Sequence, residues 1–132
     1  SALVEVTLAP RAALARAGVS MPEEIIIAIE RLNEILRTRD IAFSIRSALS
    51  VRNARERATH LQLTEVDALD HVLVQEVLSK VRLFADDPRD VAVVAALKDW
   101  AGSQASKHLP TTCEQIARWE EDVDAGIDVL QA

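Results

Sequence analysis

Arginine is the residue type in this chain whose spacing points most directly to chemistry. Between positions 37 and 57 the sequence holds six arginines against two acids, Asp40 and Glu56. The arginines are Arg37, Arg39, Arg46, Arg52, Arg55 and Arg57. A guanidinium forms charge-assisted, often bidentate hydrogen bonds to phosphate, each worth about 1.5–3 kcal/mol. This segment is therefore the candidate anion-binding part of the chain, although a solvated helix face is the simpler interpretation of most of these arginines.

Arg46 is the arginine that the local pattern singles out. It lies about one turn into a predicted helix, between Ile45 and Ala48, on a segment otherwise suited to packing. Such a guanidinium either reaches an anion outside the domain or pairs with a nearby acid. The residues alone leave both possibilities open and favour the pairing with an acid.

Familiar catalytic motifs are missing from the sequence. It contains neither GxxxxGK[ST] nor GxGxxG, and neither GxSxG nor HExxH. Cys113 falls on a predicted apolar face, so we expect a buried, unreactive thiol. Asp67 and His71 share a helix face and could offer two metal ligands, but the pattern supplies no further ligand beside them. We predict no catalytic residue and no metal site in this chain.

Composition indicates one helical domain over residues 1–132. The chain is 49% hydrophobic and 27% charged, and it holds three glycines and four prolines. The net charge is −6, and from Ala58 onward fourteen acids face six bases, so we expect no nucleic-acid partner. No apolar run is long enough for a bilayer, no leader pattern opens the sequence, and there is one cysteine. We therefore expect a cytoplasmic protein without a membrane partner.

The periodicity predicts an all-α fold of about five helices around a central helix, with a short strand-like segment at each end. We divide the chain into an extended or irregular part (1–19), a helical bundle (20–125) and a strand-like tail (126–132). Val4, Val6 and Leu8 alternate as in a strand that ends at Pro10, and residues 11–19 have room for one or two helical turns.

Capping signals set the predicted helix boundaries. Ser20, with Pro22 and Glu23, begins a helix that runs to about Thr38, and Asp40 begins the next, whose inward residues include Ile45 and Leu49. The long central helix runs from Thr64 to Arg82. Asp87 and Pro88 begin a fourth helix, which includes Val91 among its packing residues, and Thr111 or Thr112 begins a fifth. Ile127–Leu130 alternates like a strand.

Three successive stretches resemble a known family. They are LNEIL at the end of one helix, then IAFSIRSAL, then LTEVDALDHVLVQEVLSKVR. Together they look like the C-terminal helical lid of AAA+ ATPases of the MoxR and McrB type. Ala42–Ser47 falls where MoxR-like lids carry their sensor-2 arginine, although the glycine and proline of that element are absent here. Ala68-Leu69-Asp70 and Leu109 to Ile127 are similar to McrB-type segments.

The resemblance implies a non-catalytic lid that closes over a nucleotide bound by a separate core. Arg46 would contact the phosphates, with Phe43 and Ser44 beside the nucleotide. The implied cofactor is ATP or GTP with Mg²⁺ in the full-length protein and none in this chain alone. The implied partners are an AAA+ core domain, upstream or in another chain, and further copies in a homo-oligomer. Whether the chain is part of an enzyme depends on that core.

Two other functions fit the same residues. One is a stand-alone helical adaptor whose surface groove binds a partner protein. The other is a nucleic-acid-binding helical domain that uses Arg52, Arg55 and Arg57, and the acidic remainder of the chain weighs against it.

Overall fold

The computed structural model describes residues 9–58, 61–103 and 105–130. These residues form six α-helices, and the all-α prediction is confirmed. The helices are α1 (Pro10–Arg16), α2 (Glu23–Arg37), α3 (Ile45–Arg57), α4 (Glu65–Val72), α5 (Pro88–Ala101) and α6 (Pro110–Asp124). A π-helical segment (Leu73–Val77) and a 3₁₀ turn (Leu78–Lys80) continue α4, and a second 3₁₀ turn spans Ala105–His108. The predicted N-terminal strand lies outside the described residues.

The six helices pack in a closed ring around one core. Each contacts two neighbours in the order α1, α2, α5, α6, α4, α3 and back to α1. The buried residues of all six belong to one apolar cluster, in which Leu69, Leu97 and Trp119 are almost fully inaccessible. The α4 segment contacts both α3 and α6, so it is packed from more than one side as predicted, but it holds one position in the ring and not its centre.

The predicted central helix differs from the observed one in its second half. Instead of running as α-helix to Arg82, the chain changes to π and 3₁₀ turns and then forms strand β1 (Arg82–Leu83). This strand pairs antiparallel with β2 (Val129–Leu130), so that Leu83 stands opposite Val129 and both are buried. The C-terminal strand prediction is confirmed for Val129–Leu130. The helical pattern failed near Arg82 because a distant strand, which local periodicity does not reveal, pairs with that segment.

Two predicted helix starts are wrong, and the backbone shows why. Helix α2 begins at Glu23 after Pro22, without a hydrogen bond from a side-chain cap, so Ser20 does not cap it. Asp40 does not cap α3 because it ends α2 instead. It has φ 60°, the N–H of Asp40 donates to the carbonyl of Arg37, and that of Ile41 donates to Leu36. This is a Schellman motif with Asp40 at the left-handed position. Gly18 after α1 and Gly126 after α6 hold the same position.

Buried carboxylates connect distant parts of the fold. Asp70 on α4 accepts hydrogen bonds from the backbone N–H groups of Thr111 (2.9 Å) and Thr112 (2.8 Å), at the start of α6. The helix α6 is therefore capped from α4 by Asp70. The prediction that Thr111 or Thr112 caps this helix is wrong. Asp90 is fully buried, accepts from the N–H of Phe84 (2.8 Å) and lies 2.9 Å from Nε of Arg39.

Candidate functional site

The position of Arg46 is set by the start of α3. Ser44 is the N-cap, and Arg46 is the second residue of the first helical turn. The side chain of Arg46 is exposed to solvent. The N–H groups of the first turn have no partner within a helix and carry its positive dipole end, so this turn favours a nearby anion.

Two sets of hydrogen bonds hold this turn in place. The hydroxyl of Ser44 accepts from the N–H of Ser47 (3.2 Å), and the hydroxyl of Ser47 accepts from the N–H of Ser44 (3.3 Å). Asn33, buried on α2, accepts from the N–H of Phe43 (2.8 Å). The connector and the first turn of α3 are thereby fixed to α2, which orients the backbone of Arg46.

Phe43 and Ser44 stand beside Arg46 along the chain but have structural contacts of their own. Phe43 is 1% exposed and belongs to the core. Ser44 is part-buried, and its hydroxyl takes part in the capping box. A direct nucleotide contact through the Phe43 ring is therefore incompatible with its burial. Asn33 and Ser47 were missed from the sequence, although Ser44-x-x-Ser47 follows the spacing of a capping box.

Arg46 has no hydrogen bond and no ion pair with any residue that the structure describes. Several other arginines do have acidic partners. The pairs are Arg11 with Glu23 and Glu30, Arg39 with Asp90, Arg52 with Glu56, Arg55 with Glu65, and Arg89 with Asp87. The interpretation of Arg46 as half of an internal ion pair therefore has no support within ranges 9–58, 61–103 and 105–130.

The surroundings of Arg46 are partly apolar. Ile45 and Leu49, which the sequence predicted to face inward, are 36% and 41% exposed. One turn beyond Arg46, the hydroxyl of Ser50 donates to the carboxylate of Glu76 (2.8 Å), which lies in the π-helical segment. Ile45 and Leu49 are four residues apart on α3, so they place apolar surface on one side of the helix close to this guanidinium.

The other arginines of α3 do not form an open phosphate track. Arg52 Nε lies 3.1 Å from Glu56, and Arg55 Nε lies 3.5 Å from Glu65. Both acids reduce the positive potential of this face, and Arg57 lies on the last turn of the helix. The described geometry therefore gives little support to nucleic-acid binding.

In the described part of the chain, no three or more His, Cys, Asp or Glu residues are placed to hold a metal ion. Cys113 is partly buried, and its Sγ lies 3.9 Å from the carbonyl oxygen of Ala101. None of the described helices is long and apolar enough to cross a membrane.

One family model matches the chain, and it carries the description "Domain of unknown function (DUF8727)". The match covers residues 10–125, from the start of α1 to just beyond the end of α6. The chain belongs to the DUF8727 family. No curated protein and no solved structure matches it significantly.

The DUF8727 match includes every helix described above, and therefore Arg46 with its supporting residues Asn33 and Ser44. It also includes a groove of about 610 Å³ between α2 and α5, which we call the α2–α5 groove. Ile35, Ala92, Val93 and Ala96 form its apolar lining, and Glu34 and Arg89 are among its charged residues. The DUF8727 domain thus presents two surfaces of interest, the Arg46 turn and the α2–α5 groove.

Proposed function

We propose that this DUF8727 domain is the helical lid of an AAA+ nucleoside triphosphatase. In this proposal the lid closes over ATP or GTP with Mg²⁺, held by a separate core domain upstream or on another chain. Arg46 then contacts the nucleotide phosphates in the closed state. The lid also contacts a neighbouring copy in a homo-oligomer.

One observation carries the proposal: Arg46 has a fixed backbone and an exposed guanidinium that pairs with none of the described residues. Its backbone is fixed by the capping box of Ser44 and Ser47 and by the bond from Phe43 to Asn33. Its guanidinium is exposed and has no partner among the described residues. Because the backbone of the turn is already fixed, only the side-chain rotamers of Arg46 have to be ordered when a phosphate binds, and this favours a sensor of nucleotide state.

The exposed side chains of Ile45 and Leu49 support the same proposal. A core domain that docks on this face would cover them and exclude water around Arg46. Removal of water strengthens the interaction between a guanidinium and a phosphate because the local dielectric constant falls. The phosphate loop and the Mg²⁺ ligands belong to the core in this account, so the 132-residue chain alone hydrolyses no nucleotide.

A stand-alone adaptor is the second candidate, and the α2–α5 groove favours it. An open apolar groove of about 610 Å³ is a reasonable site for a partner protein. An adaptor of this kind needs neither a nucleotide nor Arg46.

Reconstitution of the complete protein separates the two candidates. We would sequence the coding region around this chain, and its neighbouring genes, for a phosphate-loop core. The purified 132-residue chain and the core would then be assayed for ATP and GTP hydrolysis, separately and together. The lid proposal predicts no hydrolysis by this chain alone and faster hydrolysis by the core when this chain is present. If the hydrolysis rate and the nucleotide affinity of the core are the same with and without this chain, the lid proposal is excluded and the adaptor remains.

A further inference from the structure

The α2–α5 groove lies between two antiparallel helices that are connected to each other near both ends. At one end, Nε of Arg39 lies 2.9 Å from the buried carboxylate of Asp90. At the other, the indole N–H of Trp100 donates to the carbonyl of Ala28 (2.8 Å). The first contact joins the residues just after α2 to the N-terminal turn of α5. The second joins the N-terminal half of α2 to the C-terminal end of α5. The groove is thus a preformed feature of the domain.

The lining of the groove suits another pair of helices. Ala92 and Ala96 stand four residues apart on α5 and therefore on one face of it. Small side chains allow close approach of a second helix, because the distance between packed helices depends on the residues at the contact. Ile35 is half-buried and Ala92 is exposed, so these two supply the apolar surface that such a helix would remove from water, whereas Val93 already belongs to the core.

The groove has a positive charge at the start of α5 and a negative charge about level with the middle of that helix. Arg89 lies at the end formed by the start of α5, and its side chain is 80% exposed. Glu34 lies about one turn before the end of α2, level with the middle of α5. Glu34 has no ion pair with any described residue. Arg89 contacts Asp87 and so lowers the pKa of that carboxylate. A guanidinium has five N–H donors, so the Asp87 contact leaves others for a further acid.

We propose that a second copy of this chain covers the α2–α5 groove. In a two-fold dimer each copy offers the same surface, so that surface must be complementary to itself. With the two-fold axis near Ala92, Arg89 of one copy meets Glu34 of the other, and the alanine faces meet between them. The resulting contact is a four-helix arrangement of α2 and α5 from each copy. It involves none of the residues that hold Arg46, so its test is independent of the proposed contact between Arg46 and a nucleotide.

Net charge determines the conditions for the test. Each copy carries −6, and two such copies repel each other at long range. At about 0.15 M salt the screening length is about 8 Å, so charges in direct contact dominate. We expect self-association with a Kd at or below about 0.1 mM under these conditions.

Sedimentation equilibrium of the full chain, with a matched pair of substitutions, tests the proposal. Ala92→Arg places two like charges close to the two-fold axis and should weaken the dimer at least about tenfold. Ala95→Arg adds the same charge to an exposed alanine of the same helix outside the groove, and the dimer should persist. Circular dichroism should show unchanged helix content in both variants, because both alanines are exposed.

Charge exchange then identifies the pairing across the axis. Glu34→Arg and Arg89→Glu should each weaken the dimer, since each brings like charges together, and the double variant should restore most of the loss. A wild-type chain that remains monomeric at about 0.1 mM would overturn the proposal and assign the groove to a different occupant. A dimer that Ala92→Arg leaves unchanged, or one without recovery in the double variant, would also overturn it.

Discussion

Substitution of Asp70 by alanine should destabilise the domain more than loss of an ordinary helix cap. Asp70 is 5% exposed, and its carboxylate accepts from the N–H groups of Thr111 (2.9 Å) and Thr112 (2.8 Å) and from the Thr112 hydroxyl (2.7 Å). Hydrogen bonds to a charged group are worth about 1.5–3 kcal/mol each, and a buried donor left unpaired costs about 1–3 kcal/mol. The hydroxyl can rotate to another acceptor, whereas the two N–H groups cannot.

Two lost backbone bonds, partly offset by the cost of burying the carboxylate, give an expected loss of about 3 kcal/mol in the free energy of unfolding. Urea denaturation followed by tryptophan fluorescence measures it, and Trp119 on α6 reports on the affected helix. Asp99→Ala is the control, because Asp99 is exposed, and its cost should stay within about 0.5 kcal/mol. A loss for Asp70→Ala below about 1 kcal/mol would show that α6 does not depend on this carboxylate.

Three further predictions follow from the fold and the charge distribution. Leu73→Ala should cost about 2–5 kcal/mol in urea denaturation, because the side chain is 1% exposed, and a loss below about 0.5 kcal/mol would show that the segment is not central. Asp40→Gly should raise the melting temperature slightly, since glycine adopts φ 60° without strain; a lower melting temperature than that of Asp40→Ala would contradict the Schellman assignment. DNA should bind no more tightly than about 10⁻⁴ M at physiological salt, measured by fluorescence anisotropy, and a reproducible micromolar complex would contradict the assignment of the Arg52–Arg57 face.

Local signals in the sequence predicted most of the helical framework. Thr64 with Asp67 forms the predicted capping box, and the side chain of Asp87 caps α5 directly before Pro88. These signals work because the capping side chain and the N–H that it satisfies lie within three residues. The body of α2 was predictable for a similar reason, since Ile25, Ile29, Leu32 and Leu36 repeat at helical spacing and are all buried.

Features that depend on distant residues were not predictable. Asp70 caps a helix about forty residues away, and β1 pairs with a strand near the C-terminal end, so no local pattern marks either. Ile45 and Leu49 have the apolar character of packing residues, yet they are exposed in this chain. Periodicity shows which apolar side chains share one face of a helix, and it does not show whether the fold buries them.

For the candidate site, the sequence placed Arg46 near the start of a helix, and the structure added its environment. The residues alone favoured an internal ion pair for Arg46, and the described residues contain none. The bond from Phe43 to Asn33 and the capping role of Ser44 appear only once the connector folds onto α2. These contacts explain why Phe43, named as a possible nucleotide neighbour, is a core residue instead.

In the proposed lid, Arg46 contacts the nucleotide and does not stabilise the fold, and one variant tests this most directly. Arg46→Ala would be compared with Arg57→Ala, an exposed arginine on the same helix, for nucleotide turnover in the protein assembled with its phosphate-loop core. We predict at least a tenfold lower turnover for Arg46→Ala, about 1.4 kcal/mol or more of transition-state stabilisation, with an unchanged melting temperature. Near-normal turnover together with a lowered melting temperature would contradict the claim, because it would show that the partner of Arg46 lies within the folded domain.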